Sequence, residues 1–374
     1  MASLTINKDI KNNQPGRSDP EIGKDNKLIF PNFDSIKVST KTFIVVTNMT
    51  LDIDKLFHFL PITDYILVPK RRGRKKKNEP ADPNKNIRSG SIITLEYQHK
   101  IRGVDMKKKK KKNKKARGNY FRNSVTIVMI IGNKKINYKV SRNGKFQMTG
   151  CKCDEHAEDC VKWFWHYIKD TEGIYKMNND GDNDGDNDGN NDGNDDYFVD
   201  SDSESDEESD EESDEDTDPK PKQIPTLKAI FVPAMRNIDF ALNFLIDREK
   251  LDEYFNVWTE YHSLLETSFG YTGVNIKIPL TKPIKELKLK QLCCVNGNDW
   301  REPTYVPYDY YLNMLEPKDV AKKLKKKRYN TFLVFHSGKV IFSGMEASFM
   351  RDTYYEFLDI IRECHHIIEE RLDS

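Results

Sequence analysis

The chain has 374 residues, 61 Lys and Arg against 60 Asp and Glu, and six Cys, so its formal charge is only +1. That balance hides a separation: residues 180–218 carry 21 acids and no Lys or Arg, leaving the remainder with 61 bases against 60 − 21 = 39 acids, a charge of +22. No apolar run approaches the roughly 18–20 residues of a membrane-spanning helix, the N-terminus is polar with no apolar signal core, and six scattered Cys are not a disulfide scaffold.

These bounds predict a soluble intracellular protein with free thiols and no membrane partner. A basic body with a tethered acidic segment is suited to a polyanion.

In chain order, residues 1–35 are rich in Asn, Asp, Lys, Pro and Gly and read as a disordered lead-in. Folded-looking sequence begins at Ile36, and a first unit is expected over 36–175. Two basic runs interrupt it, at 70–77 and 107–115; neither can enter a core, so both are expected as loops. Residues 178–225 read as an acidic, extended linker, and 226–374 as a second unit with an insertion at about 299–330.

The two units align with each other. Residues 42–56 match 237–251 at an offset of 195, with Asn48/Asn243, Asp52/Asp247, Lys55/Lys250 and Leu56/Leu251 coincident. Residues 138–150 match 332–344 at an offset of 194. Each unit is expected to hold an opening strand (42–47; 237–242), a short helix (55–60; 248–254) and further strands (91–97 and 125–131; 274–278). A hairpin turning on Asn143-Gly144 or Ser337-Gly338 follows, then an amphipathic closing helix. The fold class is α+β: antiparallel sheet with helices on one face and the other face open.

The hairpin Phe-His-Ser-Gly-Lys-Val-Ile-Phe-Ser-Gly at 335–344 resembles the F-x-S-G-K-x-x-x-T-G hairpin of the TATA-box-binding protein family, and 140–150 resembles its second copy. The resemblance covers roughly 36–170 and 226–366. It implies two pseudo-symmetric repeats forming a saddle, whose concave sheet binds the minor groove of A·T-rich DNA with Phe wedges and bends the duplex.

Carried across, the family's groove-facing positions fall on Asn237, Tyr271, Lys277, Leu333, Phe335, Ile341 and Ser343 in the second repeat. Phe335 would be a wedge, Tyr271 or nearby Phe269 its partner, and Lys339 a phosphate contact. In the first repeat they fall on Thr42, Ser124, Ile130, Lys139, Ser141, Gln147 and Thr149, with Lys145 matching Lys339. Both wedge positions there are Ser, with Phe121 close by, and Asp239 places a negative charge on the second repeat's opening strand. The resemblance further implies transcription-initiation factors or RNA polymerase as partners, no cofactor, and a location in the nucleus or a viral factory. The Lys-, Asn- and Asp-rich style fits a large DNA virus or an A·T-rich protist.

Other signals carry their own readings. Pro69-Lys-Arg-Arg-Gly-Arg resembles an AT-hook, with Arg72 and Arg74 in a narrow minor groove; a nuclear-import signal or a solvated loop explains the same residues. The 107–115 run would add salt-dependent phosphate attraction. Ser201, Ser203, Ser205, Ser209 and Ser213 sit among acids that suit an acidophilic kinase. Cys151, Cys153, His156 and Cys160 form a weak zinc candidate, C-x-C-x₂-H-x₃-C, though the other copy has Met345 and Ala347 at two of those positions. No catalytic constellation emerges, so a non-enzymatic protein is expected. The competing reading is an interaction scaffold on the same saddle that binds proteins and contacts nucleic acid only nonspecifically.

Overall fold

The computed structural model describes residues 28–68, 83–106, 122–178, 225–265, 273–315 and 317–370. The first half contains β1 (Val38–Thr47), β2 (Met49–Leu51), α1 (Ile53–Phe59), β3 (Ile92–Tyr97), β4 (Lys100–Gly103), β5 (Ser124–Ile131), β6 (Lys134–Ser141), β7 (Phe146–Cys151), α2 (Asp154–Ile168) and β8 (Tyr175–Met177). The second half contains β9 (Leu227–Ala241), α3 (Arg248–Trp258), β10 (His262–Leu265), β11 (Gly273–Pro279), β12 (Lys288–Val295), β13 (Asp299–Trp300), β14 (Thr304–Pro307), α4 (Tyr308–Leu312), α5 (Pro317–Lys325), β15 (Tyr329–Phe335), β16 (Lys339–Gly344) and α6 (Ala347–Ile368).

The protein is α+β. One antiparallel sheet runs β10-β11-β15-β16-β9-β1-β7-β6-β5-β3-β4, with β12–β14 attached to the N-terminal part of β9. Outward from the central β1–β9 pair the order is β7-β6-β5-β3 on one side and β16-β15-β11-β10 on the other. At the centre Lys41 lies opposite Arg236, a separation of 236 − 41 = 195 residues, the offset that aligns the two halves of the sequence.

Alternation fixes which residues face where. In β1, Phe43, Val45 and Thr47 are buried while Thr42, Ile44 and Val46 are only partly so. In β15 and β16, Phe332, Val334, Val340 and Phe342 are buried and the intervening residues point the other way. The buried sets pack beneath the helices in two clusters. Phe43, Val45, Phe146 and Met148 meet Leu56 of α1 and Val161, Phe164 and Trp165 of α2. Ile238, Phe240, Val274 and Phe342 meet Leu251 and Phe255 of α3 and Tyr354 and Phe357 of α6. Phe332 stacks between Phe342 and Phe357, with both centroid separations 4.0 Å.

The residues that coincide between the halves have local structural causes. Asp52 and Asp247 are the N-caps of α1 and α3, accepting the backbone N–H of Lys55 at 3.0 Å and of Lys250 at 3.1 Å. Leu56 and Leu251 are both helical side chains fully buried in their cores. Asn48 and Asn243 differ in role: Asn48 brackets the entry to β9 through Thr226 and Lys228, whereas Asn243 takes a left-handed φ of 67°.

Several expectations need correction. The lead-in is ordered from Leu28 rather than unstructured to residue 35: Phe33 is buried against Tyr354, Tyr354 donates to Pro31 O at 2.7 Å, and Arg351 pairs with Asp34. The hairpins turn through residues 142–145 and 336–338, not through two-residue turns, with Gly144 and Gly338 at positive φ. The second opening strand begins at Leu227, ten residues early, and the insertion spans 280–328, because β12 hydrogen-bonds along that extension from Leu227 to Phe231.

Candidate nucleic-acid interface

The sheet face opposite α1, α2, α3 and α6 has two different halves. In the second half, Lys277 on β11, Leu333 and Phe335 on β15, Lys339, Ile341 and Ser343 on β16, and Asn237 on β9 all alternate with core residues and share this face. The register sets Leu333 opposite Ile341, Ser343 opposite Asn237, and Phe335 opposite Gly273. An ideal Cβ at Gly273 would lie 2.8 Å from Leu333 Cδ1, so a side chain there would collide with Leu333. Leu333, Phe335 and Ile341 are each half-buried on this face.

Two side-chain amides border the stripe. Asn237 Oδ1 and Asn275 Oδ1 are buried atoms with no hydrogen-bond partner among the described residues, and the two ends of an amide exchange by rotation. Asn275 was missed in the sequence because the family pattern drew attention to Lys277 two residues on; the alternation of β11 places both on one face. Asp239 is exposed opposite Ile341, and Ser39 Oγ lies 3.2 Å from its Oδ1. The edge strand β10 adds exposed His262 and Leu264.

The first half presents polar groups: Gln147 and Thr149 on β7, Lys139 and Ser141 on β6, and Ser124 and Thr126 on β5. Thr42 sits on the same face near the centre of β1, and Lys145 is exposed at the hairpin. Ile130 is on this face but buried, because Ile93, Val128 and Ile130 are capped by Tyr65 and Ile87 from the segment between α1 and β3. Lys135 lies over the Tyr65 ring at 4.2 Å. Near the centre, Ile230 and Val232 of β9 cluster with Leu289 of β12 and with Tyr308, Tyr311 and Leu312 of α4, with Ile44 and Val46 packed alongside. The insertion therefore occupies one edge of the first half's face, and residues 61–68 and 83–90 occupy its outer end.

Tyr271, Phe269, Phe121, Arg72, Arg74, the 107–115 run and the acidic 178–225 segment, apart from its first and last residues, lie outside the described residues. The zinc candidate is not assembled: among the described residues no three His, Cys, Asp or Glu side chains are placed to hold a metal ion. Cys151 and Cys160 are core residues, and burial pushes the Cys151 thiol up to about 11 and Cys160 well above its ordinary value. His156 Nδ1 accepts the Lys152 N–H at 3.3 Å, and burial, with Lys134 nearby, lowers the imidazole pKa. Lys152 is outside that candidate set, so the imidazole is committed locally.

On the helix side, a cleft of ≈370 Å³ lies at the centre of the sheet, lined by Phe43, Phe231, Pro233 and Phe349 with Asp154, Glu158 and Lys290 among the polar residues. Lys290 of β12 pairs with Glu158 of α2 at 2.5 Å and Lys41 with Asp154 at 2.5 Å. These pairs tie the insertion and the central strand to α2; they offer a structural use for the charges there.

No protein-family model matches the chain. A protein of Invertebrate iridescent virus 6, named uncharacterized protein 335L, is 25% identical over 354 residues, covering 92% of this chain and 87% of its own length. Among solved structures, Methanococcus jannaschii TBP is similar with a TM-score of 0.38 at 12% identity, covering 89% of this chain and 99% of that chain. No helix among the described residues is long and apolar enough to cross a membrane.

Proposed function

We propose that the chain is a divergent, duplicated factor of the TATA-box-binding type that engages the minor groove of A·T-rich duplex DNA, chiefly through the second half of its sheet, in transcription initiation. The observation that carries the reading is the half-buried apolar stripe Leu333–Phe335–Ile341 on the face away from the helices, bordered by Asn237 and Asn275, whose Oδ1 atoms have no partner among the described residues, and by Lys277 and Lys339. An A·T minor groove offers acceptors and shape but no donors, so apolar side chains with a few amide N–H groups suit it. Lysines at the border suit the phosphates that flank it. The common offset of 195 between the aligned halves and the Lys41–Arg236 pair supports a duplicated saddle.

The polar, partly clad first half supports an asymmetric mode, with insertion of a side chain at one end only. Initiation factors or a polymerase would then dock on the helix side. The test is equilibrium binding of the full chain to matched A·T-rich and G·C-rich duplexes, with a minor-groove drug as competitor. Preference for A·T that the drug abolishes is expected; equal affinities that the drug leaves unchanged would refute the reading.

One observation favours a second reading, a non-enzymatic scaffold. Tyr65, Ile87 and α4 cover surface that a symmetrical saddle would leave open, and such a protein would bind nucleic acid without sequence preference.

A further inference from the structure

The insertion between β11 and β15 ends in a concentrated positive surface. Residues 317–328 hold seven bases (Lys318, Lys322, Lys323, Lys325, Lys326, Lys327 and Arg328) and one acid, Asp319. The helix α5 divides them. Val320 packs toward the cluster of α4, and Lys323 turns inward over the Tyr311 ring at 5.3 Å, where burial lowers its pKa. Arg328 reaches Tyr308 Oη at 3.5 Å. Lys318, Lys322 and Lys325 recur at i, i+4 and i+7, which is one helical face, and all are exposed together with Lys326 and Lys327.

Placement gives this surface its meaning. The chain passes directly from Arg328 into β15, whose Tyr329, Thr331, Leu333 and Phe335 lie on the open face. At roughly 3.3 Å per residue, the basic run ends about 17 Å from Leu333 and about 23 Å from Phe335. A duplex on the open face carries its phosphate strands on either side of the groove that the apolar stripe would enter, so a basic run displaced along β15 from that stripe is placed to meet them. Basic residues in a last helical turn also offset the helix dipole, but that accounts for Lys322, Lys323 and Lys325 and not for Lys326 and Lys327 beyond the helix end.

We propose that α5 and the two lysines after it are a phosphate-backbone clamp for duplex DNA lying on the open face. The insertion thereby supplies sequence-independent affinity where the first half's face is clad. This rests on the duplex reading above.

The experiment uses the full chain, wild type and the variant Lys322→Ala/Lys325→Ala/Lys326→Ala, titrated with an A·T-rich duplex at several salt concentrations. Circular dichroism and the denaturation midpoint verify that the exposed substitutions leave the fold intact. Each lost phosphate contact lowers the slope of log K against log salt by about 0.9, so the triple variant should lose roughly 2–3 from the slope while keeping its A·T preference. An unchanged slope in a variant that still binds the duplex would overturn the clamp and leave the duplex reading standing. Failure of the wild type to bind any duplex would overturn both.

Discussion

Replacing Gly338 by Ala probes why the hairpin carries glycine before its lysine. Gly338 has φ +72°, and an added Cβ would stand 2.2 Å from Phe244 O. The left-handed backbone alone costs an Ala roughly 1–2 kcal/mol. The collision requires the loop to retreat by about 1 Å, which strains the bonds Leu242 N–H to Gly338 O and Gly338 N–H to Phe335 O, both 2.9 Å, each worth about 1 kcal/mol. The expected loss is therefore about 3–4 kcal/mol. Gly132 is the internal control: its φ is +54° but no atom lies within 4 Å of an added Cβ, so Gly132→Ala should lose only the conformational part, about 1–2 kcal/mol. With a urea slope of about 1–3 kcal/mol/M, a difference near 2 kcal/mol separates the two midpoints by about 1 M. Gly144→Ala should behave like Gly338→Ala, since its Cβ would meet Met49 O at 2.1 Å. Equal losses at Gly338 and Gly132 would refute the close-approach argument and return the motif's glycine to a role in ligand contact.

Further outcomes follow from other residues. Asp52→Ala and Asp247→Ala should each lower stability in urea by about 1 kcal/mol, and the pair should add to within about 0.5 kcal/mol, because the caps belong to separate halves. Burial raises Cys151 to about 11 from an ordinary 9.0. Its contribution is complete below pH 9 and lost as pH rises from 9 to 11, so stability followed over that range should decline less steeply in Cys151→Ala. Asp239→Asn should tighten binding to an A·T-rich duplex by roughly 2–5-fold at low salt, since it removes a negative charge from the open face; unchanged or weaker binding would place the duplex elsewhere.

Local causes made much of the fold legible in the sequence. The Asp–Lys–Leu spacing in both halves reports a capped helix entering the core, and the glycines report left-handed hairpin turns; both are short-range and leave a residue signature. The family resemblance pointed to Leu333, Phe335, Ile341 and Ser343, which alternate with core residues along β15 and β16. The strand 288–295 has a period-two signal in Leu287, Leu289 and Lys288, Lys290, but it lies upstream of 299–330, the Tyr- and Lys-rich stretch whose composition marks an insertion. The cladding of Ile130 by Tyr65 and Ile87, and of Ile230 by α4, depends on where loops land in space. Neither Tyr65 nor Tyr308 sits in a periodic pattern that would announce it, so the sequence showed the open face without showing how much of it is covered.

The most direct test of the central claim is energy transfer between dyes at the two ends of an A·T-rich duplex bound by the full chain, wild type and Phe335→Ala. A groove opened and kinked at one end predicts a shortened end-to-end distance with wild type. In Phe335→Ala the shortening should be lost and the affinity should fall by roughly 30-fold, about 2 kcal/mol. An end-to-end distance equal to that of free DNA, with the same affinity in both proteins, would contradict a working groove-binding face.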